Sequence, residues 1–307
     1  MNIIVTGGAG FIGSNIVGRL VKGNHTVTVV DDLSTGKKEN VDVQADFYKC
    51  DIRSKKILDI FKKKKPRIVI HNAAQISVRN SVDDPASDAG INILGSLNIL
   101  EACIKCNVEK VIFASSGGTV YGEQRHFPAD EEHPLNPISP YGVAKLSVEK
   151  YLHYYSYNYG LKYVALRYAN VYGPGQDPYG EAGVVAIFSK KMLNGESPVI
   201  NGDGKQTRDY VYVSDVVEAN IKAIKGTFVG GLNIGTGEEV SVVDLFHMLK
   251  NISKNDSIEE IHGPSKEGEQ KRSSLHCEKA KTFIGWEPKV SLEKGLKLTY
   301  KWFKEDR

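Results

Sequence analysis

The stretch that decides the fold is Asn2-Ile3-Ile4-Val5-Thr6-Gly7-Gly8-Ala9-Gly10-Phe11-Ile12-Gly13, near the start of the 307-residue chain. Its apolar beginning predicts a short buried strand over Asn2–Thr6, and the residues after Gly13 have helical spacing. A glycine-rich turn between a strand and a helix is typical of the first βαβ unit of a parallel sheet. The sequence therefore favours an α/β fold from its first turn onward.

The same alternation continues through the first half of the chain. Further strands are predicted at 26–30, 68–71, 111–114 and 163–167, with helices near 14–21, 54–64 and 90–106. A long helix should begin at Pro140, with Ser139 as its N-cap, and end at about Asn158. This order predicts a Rossmann-type doubly wound parallel sheet with helices on both faces.

A change of texture after residue 172 suggests a second unit. Short segments alternate there with glycine-rich turns such as Gly202-Asp203-Gly204 and Gly235-Thr236-Gly237. We expect one domain over 1–172 and a smaller C-terminal α/β domain over 173–307. Asp209–Val213 and Gly231–Ile234 could return strands to the main sheet.

Composition and charge exclude several classes of protein. The chain is 41% hydrophobic and 25% charged with a net charge of +3, which is too weak a balance to predict nucleic-acid binding. The basic run Lys62-Lys63-Lys64-Lys65 precedes Pro66 and is interpreted as the solvated last turn of a helix, a role favoured over phosphate binding. There is no membrane-length apolar run or room for a signal peptide, so a cytoplasmic location is expected.

Four cysteines do not form a disulfide framework in a chain of this length. Cys103 and Cys106 have the spacing of a metal or redox pair, but they lie in a helical apolar pattern. No second such pair of cysteines or histidines follows. A helix interior is favoured, and no metal is expected.

The glycine turn also predicts a dinucleotide site. Gly7 would permit the tight turn, Gly10 the approach of a pyrophosphate, and Gly13 the close packing of helix on strand. The second strand is followed by Asp31, whose carboxylate suits the ribose hydroxyls of NAD and repels the 2′-phosphate of NADP. We therefore predict NAD as the cofactor.

A catalytic pair is predicted at the start of the long helix. Tyr141 and Lys145 are four residues apart, which places both on one helix face about 5–6 Å apart at Cβ. A phenol titrates near pH 10 and needs stabilisation of its anion to act as a base, which a nearby ammonium can give. In a chain with fifteen tyrosines the spacing alone is weak, but the glycine turn upstream favours a catalytic role.

Taken together, these motifs resemble the extended short-chain dehydrogenase/reductases of the epimerase/dehydratase family, and within it the UDP-glucose 4-epimerase group. The matching segments follow the family's order along nearly the whole chain: 6–13, 31–36, 51–53, 71–75, 115–122, 141–145, 166–176 and 206–212. The resemblance implies NAD contacts from Gly7, Gly10, Phe11, Ile12, Gly13, Asp31, Asp32, Leu33, Ser34, Thr35, Gly36, Asp51, Ile52, Ala73, Ala74, Gln75, Asn92, Ser115, Tyr141, Lys145 and Tyr168.

The resemblance also implies the chemistry and the binding partner, a UDP-hexose. Tyr141 would take the 4-hydroxyl proton while the C4 hydride passes to NAD, the 4-keto sugar would turn, and the hydride would return to its other face. Lys145 would hold the nicotinamide ribose and lower the pKa of Tyr141. The family usually has Ser or Thr where this chain has Gly117; we expect Ser116 to replace that hydroxyl, with Thr119 or a water as alternatives.

Substrate contacts and assembly follow from the same resemblance. It places Asn170 and Arg208 on the diphosphate, Val184, Val199 and Asn201 around the uracil, and Ser116, Gly117 and Tyr141 at the sugar. Lys266 and Glu269 match the family's nucleotide-ribose segment, although Lys266 could equally be a surface charge. Ser273 would lie beside the sugar's 2-substituent, and small residues there leave space for an N-acetyl group. A homodimer through the helices holding Cys103 and Tyr141 is also implied.

Three alternatives share the fold. A nucleotide-sugar 4,6-dehydratase or a UDP-glucuronate decarboxylase would begin with the same oxidation at C4, but each needs an acidic residue before Val120-Tyr121-Gly122. Gly118 and Thr119 stand there instead. A catalytically silent NAD sensor would have lost Tyr141 or Lys145, and both are present. The 4-epimerase is therefore favoured.

Overall fold

Parallel strands form the central sheet of the computed structural model, which describes residues 1–179, 183–265 and 270–305. Within those residues the strands are β1 (Asn2–Thr6), β2 (Thr26–Asp31), β3 (Asp46–Lys49), β4 (Ile68–His71), β5 (Lys110–Ser116), β6 (Lys162–Tyr168), β7 (Asn170–Tyr172), β8 (Val199–Asn201), β9 (Thr207–Arg208), β10 (Tyr210–Tyr212), β11 (Gly230–Ile234), β12 (Val240–Ser241) and β13 (Ile261–Gly263). Seven of them make one sheet in the order β11-β6-β5-β4-β1-β2-β3, every pair parallel. The predicted doubly wound sheet is confirmed.

Helices cover both faces of this sheet. The helices of the described residues are α1 (Phe11–Lys22), α2 (Lys56–Lys64), α3 (Val78–Asp83), α4 (Pro85–Ala89), α5 (Gly95–Lys105), α6 (Gly117–Val120), α7 (Pro140–Tyr159), α8 (Val184–Leu193), α9 (Val213–Lys225), α10 (Val242–Ser253), α11 (Glu278–Ile284) and α12 (Leu292–Glu305), of which α8, α10 and α12 pack together away from this sheet. A π-helical turn, Gly90–Leu94, joins α4 to α5, and a 3-10 turn spans Lys38–Asn40.

Alternation along the strands divides the core between the two faces. On β1, Ile3 and Val5 face a cluster with α1 and α9, whereas Ile4 faces a second cluster with α2, α5 and α7. A strand buried on both faces needs apolar residues at successive positions, which explains the continuous apolar run at the start of the chain.

The long helix begins as its sequence predicts. Pro140 is its first residue, and the Ser139 side chain accepts a hydrogen bond from the backbone N–H of Gly142 at 3.2 Å. Gly160 follows in the left-handed conformation that ends many helices. The helix is therefore fixed at both ends, which holds its first turns at the carboxyl edge of the sheet.

Later parts of the chain contribute to both units. Strand β11 pairs with β6 and so returns to the main sheet, a possibility that the sequence offered for Gly231–Ile234. The other, β10, instead pairs with β7 in a separate two-stranded sheet. A third cluster is built largely from α8, α10 and α12. The division at residue 172 stays a prediction.

Three local features differ from or refine the sequence prediction. The edge strand β3 was not predicted, because its four residues, Asp46-Phe47-Tyr48-Lys49, lack an apolar run. The expected helix over 90–106 contains the π-helical turn, and Cys106 follows its last residue while Cys103 is buried within it. The lysine run does end α2, with Lys64 bonded to Asp46 at 2.6 Å.

Among the described residues, no helix is both long and apolar enough to cross a membrane.

Candidate active site

The glycine turn lies at the carboxyl end of β1 and leads into α1. Gly7 has φ +67°, and a side chain on Gly13 would place its Cβ 2.0 Å from the carbonyl oxygen of Gly7. At Gly10 the nearest atom to such a Cβ is that same oxygen, at 3.5 Å, and none of the described side chains caps the first turn of α1. The turn is tightly packed at Gly13, whereas the space beside Gly10 and the first N–H groups of α1 is open. Such a space suits the binding of a pyrophosphate.

Asp31 ends β2 beside this turn. Its Oδ2 accepts a hydrogen bond from the Ala9 N–H at 2.9 Å, and its Oδ1 accepts one from the Leu33 N–H at 2.9 Å. The carboxylate is buried and thereby fixes the turn and the following loop, in which a Cβ on Gly36 would meet the Ala9 carbonyl carbon at 2.8 Å. These residues together fit the adenosine half of NAD.

The remaining predicted cofactor residues lie along the same edge. Asp51 and Ile52 follow β3; Asp51 binds the Arg53 side chain at 2.6 Å, and Ile52 is buried against Gly95 at the start of α5. Asp32 accepts a hydrogen bond from the Ser34 N–H, next to the exposed Thr35. Phe11 and Ile12 open α1, and Ala73 and Ala74 follow β4.

Two predicted cofactor residues use their side chains within the fold. The Ser115 hydroxyl donates to Glu149 Oε1 at 2.5 Å, and Glu149 forms a buried ion pair with Arg167 at 2.7 Å. The Tyr168 hydroxyl accepts from Asn220 Nδ2 at 2.8 Å. Both hydroxyls therefore hold neighbouring elements together.

Tyr141 and Lys145 are brought together in the first turns of α7. The Lys145 Nζ lies 5.6 Å from the centroid of the Tyr141 ring and 4.9 Å from that of Phe113, and it donates to the Ala114 carbonyl at 2.9 Å. The Tyr141 backbone N–H donates to Ser81 Oγ at 3.2 Å. Both residues are thus held at the carboxyl ends of β4 and β5, across from the glycine turn.

Burial has the largest effect on the pKa of both Tyr141 and Lys145. Burial, aided by the charge of Asp88, raises the pKa of the Tyr141 phenol above the ordinary range. Burial also lowers the pKa of the Lys145 ammonium to about 8, although Asp88 opposes that shift. Removal of two polar groups from water outweighs the benefit of placing them together. A further positive charge beside the ring would favour the phenolate.

The side chains of Ser116 and Asn170 both border Gly118. A Cβ built on Gly118 would lie 3.9 Å from both Ser116 Oγ and Asn170 Oδ1, with no closer atom. Thr119, one residue further, has a buried hydroxyl that forms no hydrogen bond within the described parts of the chain. Two hydroxyls thus lie near the end of β5, where the family usually has one at position 117.

The structure explains why a hydroxyl is absent at Gly117. A Cβ there would lie 2.4 Å from Leu275 Cδ1 and 2.8 Å from its Cδ2. Leu275 is fully buried with Val120, Tyr121 and Ala129. The space that a serine side chain would enter is filled from a segment far along the chain, which sequence reasoning did not detect.

The predicted substrate residues lie on short strands, a helix and a loop in the later part of the chain. Arg208 is on β9 and donates to the Thr207 carbonyl at 2.8 Å, Val199 and Asn201 are on β8, and Val184 begins α8. Ser273 is 3% exposed, and its carbonyl accepts from the Asp209 N–H at 3.0 Å. Lys266 and Glu269 lie outside the described residues.

Comparison with known proteins agrees with this geometry. The model of the NAD dependent epimerase/dehydratase family matches residues 3–235. A UDP-glucose 4-epimerase of Thermotoga maritima, solved with UDP-glucose, is 52% identical and superimposes with a TM-score of 0.98, over 100% of this chain and 99% of the other.

Two further solved structures are similar over nearly the full length. A Thermus thermophilus UDP-glucose 4-epimerase in complex with NAD is 43% identical, with a TM-score of 0.94 over 99% of each chain. A UDP-N-acetylglucosamine 4-epimerase of Methanobrevibacter ruminantium, in complex with UDP-N-acetylmuramic acid, is 38% identical, with a TM-score of 0.94 over 100% of this chain and 99% of the other.

Proposed function

The chain belongs to the NAD-dependent epimerase/dehydratase family, and from that premise we propose that it inverts C4 of a UDP-hexose through a 4-keto intermediate. The observation that carries the proposal is the Tyr141–Lys145 pair, with Nζ 5.6 Å from the phenol ring, at the same sheet edge as the glycine turn. The three structural relatives, each solved as a UDP-sugar 4-epimerase, support it.

NAD would be held by the open glycine turn and by Asp31. Gly10 and the first N–H groups of α1 would receive the pyrophosphate, and the loop from Asp32 to Gly36 would follow the adenine ribose. When bound, NAD supplies a positive nicotinamide ring and the site that takes and returns the C4 hydrogen. Lys145 would bind the nicotinamide ribose from the face of α7 that it shares with Tyr141.

The proton chemistry would be carried out by Tyr141. As a phenolate it would accept the proton of the 4-hydroxyl, and as a phenol it would return a proton to the ketone oxygen after the sugar has turned. Ser116 would orient that oxygen by hydrogen bonding, because Gly117 offers no side chain. Lys145 would stabilise the phenolate as an ammonium.

The diphosphate and nucleoside would be bound by residues from the later part of the chain. Arg208 carries a planar guanidinium suited to two phosphate oxygens, and Asn170 borders Gly118, as Ser116 does. Val184, Val199 and Asn201 would surround the uracil, and Lys266 and Glu269 would reach its ribose. Residues 173–307 would therefore form most of the substrate domain.

This chain lacks the acidic residue that the alternative reactions on this fold would need. A 4,6-dehydratase or a UDP-glucuronate decarboxylase would require a carboxylate at position 118 or 119. The opening beside Gly118 is instead bordered by the Ser116 hydroxyl and the Asn170 amide. Elimination or decarboxylation is therefore less well supported than epimerisation.

The test is incubation of the purified protein with a panel of UDP-sugars, each product being separated from its C4 epimer. We expect UDP-glucose and UDP-galactose to interconvert without added NAD, because the cofactor ends in its starting state. NADH released in proportion to product would indicate a dehydrogenase. Loss of water or of carbon dioxide from the sugar would support the alternatives.

Substrate breadth would be set at Ser273. This residue is small, its carbonyl accepts a hydrogen bond from the Asp209 N–H, and the family resemblance assigns its side chain to the side of the sugar's 2-substituent. We expect the N-acetyl sugars to be accepted as well as glucose and galactose. An aromatic ring and an acetamide cannot occupy the same space, whereas water can fill spare volume at modest cost.

That expectation is tested by kcat/KM of the native protein and of Ser273→Tyr on both classes of sugar. The substitution should lower kcat/KM for the N-acetyl sugars by about tenfold or more, and that for UDP-galactose much less. Equal effects on both classes, or rejection of N-acetyl sugars by the native protein, would contradict a role for Ser273 in selectivity.

A further inference from the structure

A buried acid lies next to the Tyr141–Lys145 pair and takes no part in the chemistry described above. Asp88 is 2% exposed and belongs to α4, which packs against α7. Its helix is fixed by Pro85 and by Asp84, whose side chain accepts from the Ser87 N–H at 2.9 Å. Burying a carboxylate costs free energy unless hydrogen bonds or nearby charges compensate for the lost water.

One oxygen of Asp88 holds two predicted cofactor residues. Its Oδ1 accepts from Gln75 Nε2 at 2.9 Å and from Asn92 Nδ2 at 2.8 Å. Asn92 in turn exchanges two hydrogen bonds of 2.9 Å with the Gln75 backbone. Asp88 thus ties the loop after β4 to the π-helical turn, and such turns are frequent at functional sites.

The other oxygen, Oδ2, is buried and has no hydrogen-bond partner among the described residues. Both donors to Oδ1 are amides, which require an acceptor, and a protonated Oδ2 would itself need an acceptor. The contacts therefore fit an ionised carboxylate whose charge is left to act on its surroundings. That charge acts on Tyr141 and on Lys145, raising the pKa of each.

The other titratable groups around Lys145 are either uncharged or close to a group of opposite charge. His71 on β4 is buried between Thr6 and Ser96, and burial lowers its pKa to about 3, so it is uncharged. On α7 and β6, Glu149 and Arg167 form a buried ion pair. On α3, Arg79 and Asp83 are exposed and lie 4.0 Å apart.

We propose that Asp88 is a positioning residue for the catalytic pair: it fixes the Gln75–Asn92 brace and supplies the buried negative charge that keeps the Lys145 ammonium protonated. The catalytic meaning of this inference rests on the proposed function. The electrostatic part concerns Lys145 alone and can be measured without turnover.

The first experiment is a titration of Lys145 in the full-length protein, followed by NMR of the lysine side-chain carbons, with the signal assigned by its loss in Lys145→Met. Lys145 should titrate near pH 8 in the native protein. In Asp88→Asn the charge is lost while an oxygen acceptor for Gln75 and Asn92 remains. We expect its pKa to fall by about 1 unit.

The matched control is Asp83→Asn, which removes the same charge from an exposed position on α3. It should leave the Lys145 titration unchanged. If Asp88→Asn does not fold, Asp88→Ser removes the charge and leaves space for water, and it should shift the titration in the same direction. An unchanged Lys145 pKa in a folded Asp88 variant would overturn the proposal.

The second experiment is the pH profile of kcat/KM for epimerisation. The alkaline limb should move to lower pH in Asp88→Asn by the amount found for Lys145, because the ammonium is lost earlier. A loss of activity at all pH values with no movement of the limb would show a merely structural role. A shifted titration in a protein that epimerises no UDP-sugar would reject the proposed function and leave the charge effect standing.

Discussion

Tyr141 shows at the scale of a single residue how far a side chain depends on its surroundings. Its pKa is raised by burial, so its reactivity must come from charges placed near it. We predict that Tyr141→Phe still binds NAD but lowers kcat by about 10²–10⁴-fold, the usual contribution of a positioned acid–base group. Tyr157→Phe, on the same helix but 85% exposed, is the control. Near-normal turnover by Tyr141→Phe would reject the assigned base.

The hydroxyl that serves in place of a side chain at Gly117 can be identified by a pair of substitutions. Ser116 Oγ borders the opening at Gly118 together with Asn170, whereas the Thr119 hydroxyl is buried. We predict that Ser116→Ala lowers kcat at least about tenfold. Thr119→Val, which keeps the shape, should have a smaller effect. The opposite order of effects in the same assay would assign the role to Thr119.

At the scale of an element, helix α1 contains a pair of glycines with opposite requirements. A Cβ on Gly13 would collide with the Gly7 carbonyl oxygen, whereas one on Gly18 would meet no atom within 4 Å. We predict that Gly13→Ala lowers the free energy of unfolding by about 1–3 kcal/mol and weakens NAD binding. Gly18→Ala should raise that free energy by about 0.5–1 kcal/mol, because alanine favours a helix. Denaturant titrations of the two variants decide this, and equal stabilities would contradict it.

The elements also show which parts of the fold the sequence could reveal. Strands β1 and β4 have the predicted bounds, because strands buried on both faces need continuous apolar runs. The edge strand β3 needs no such run and was not found. The contact of Leu275 with Gly117 joins residues 158 positions apart, and no local pattern reports such a pair. Asp88 precedes Asn92 by four residues, about one helical turn. That spacing is the feature of the sequence that indicates a contact between Asp88 and the predicted cofactor residue Asn92.

At the scale of the whole molecule, apolar and aromatic side chains are exposed on the outer face of α7, beside Ser147 and Lys150, and Leu94 is exposed on the π-helical turn. Val143, Tyr151 and Tyr154 lie on one face of α7 and are 47%, 39% and 46% exposed, while Leu94 is 63% exposed. The opposite face of α7 carries the buried residues Val148, Leu152 and Tyr155. Exposed aromatic and apolar side chains opposite the buried face of a helix are suited to packing against a second surface, which supports the proposed homodimer through these helices.

We predict that Tyr154→Lys shifts the protein from dimer to monomer in sedimentation velocity runs over a range of concentrations. A lysine in the middle of an apolar contact should raise the dimer Kd at least about thirtyfold, since a central aromatic residue commonly contributes about 2 kcal/mol. Val43→Lys is the control, because it adds the same charge at a position that is 97% exposed and far from α7 in the sequence. A native protein that sediments as a monomer at all concentrations, or a Tyr154→Lys protein that stays dimeric, would show that this face is not the interface. Because α7 also carries Tyr141 and Lys145, epimerisation should be measured alongside, and a monomer that keeps full activity would show that each subunit holds a complete site.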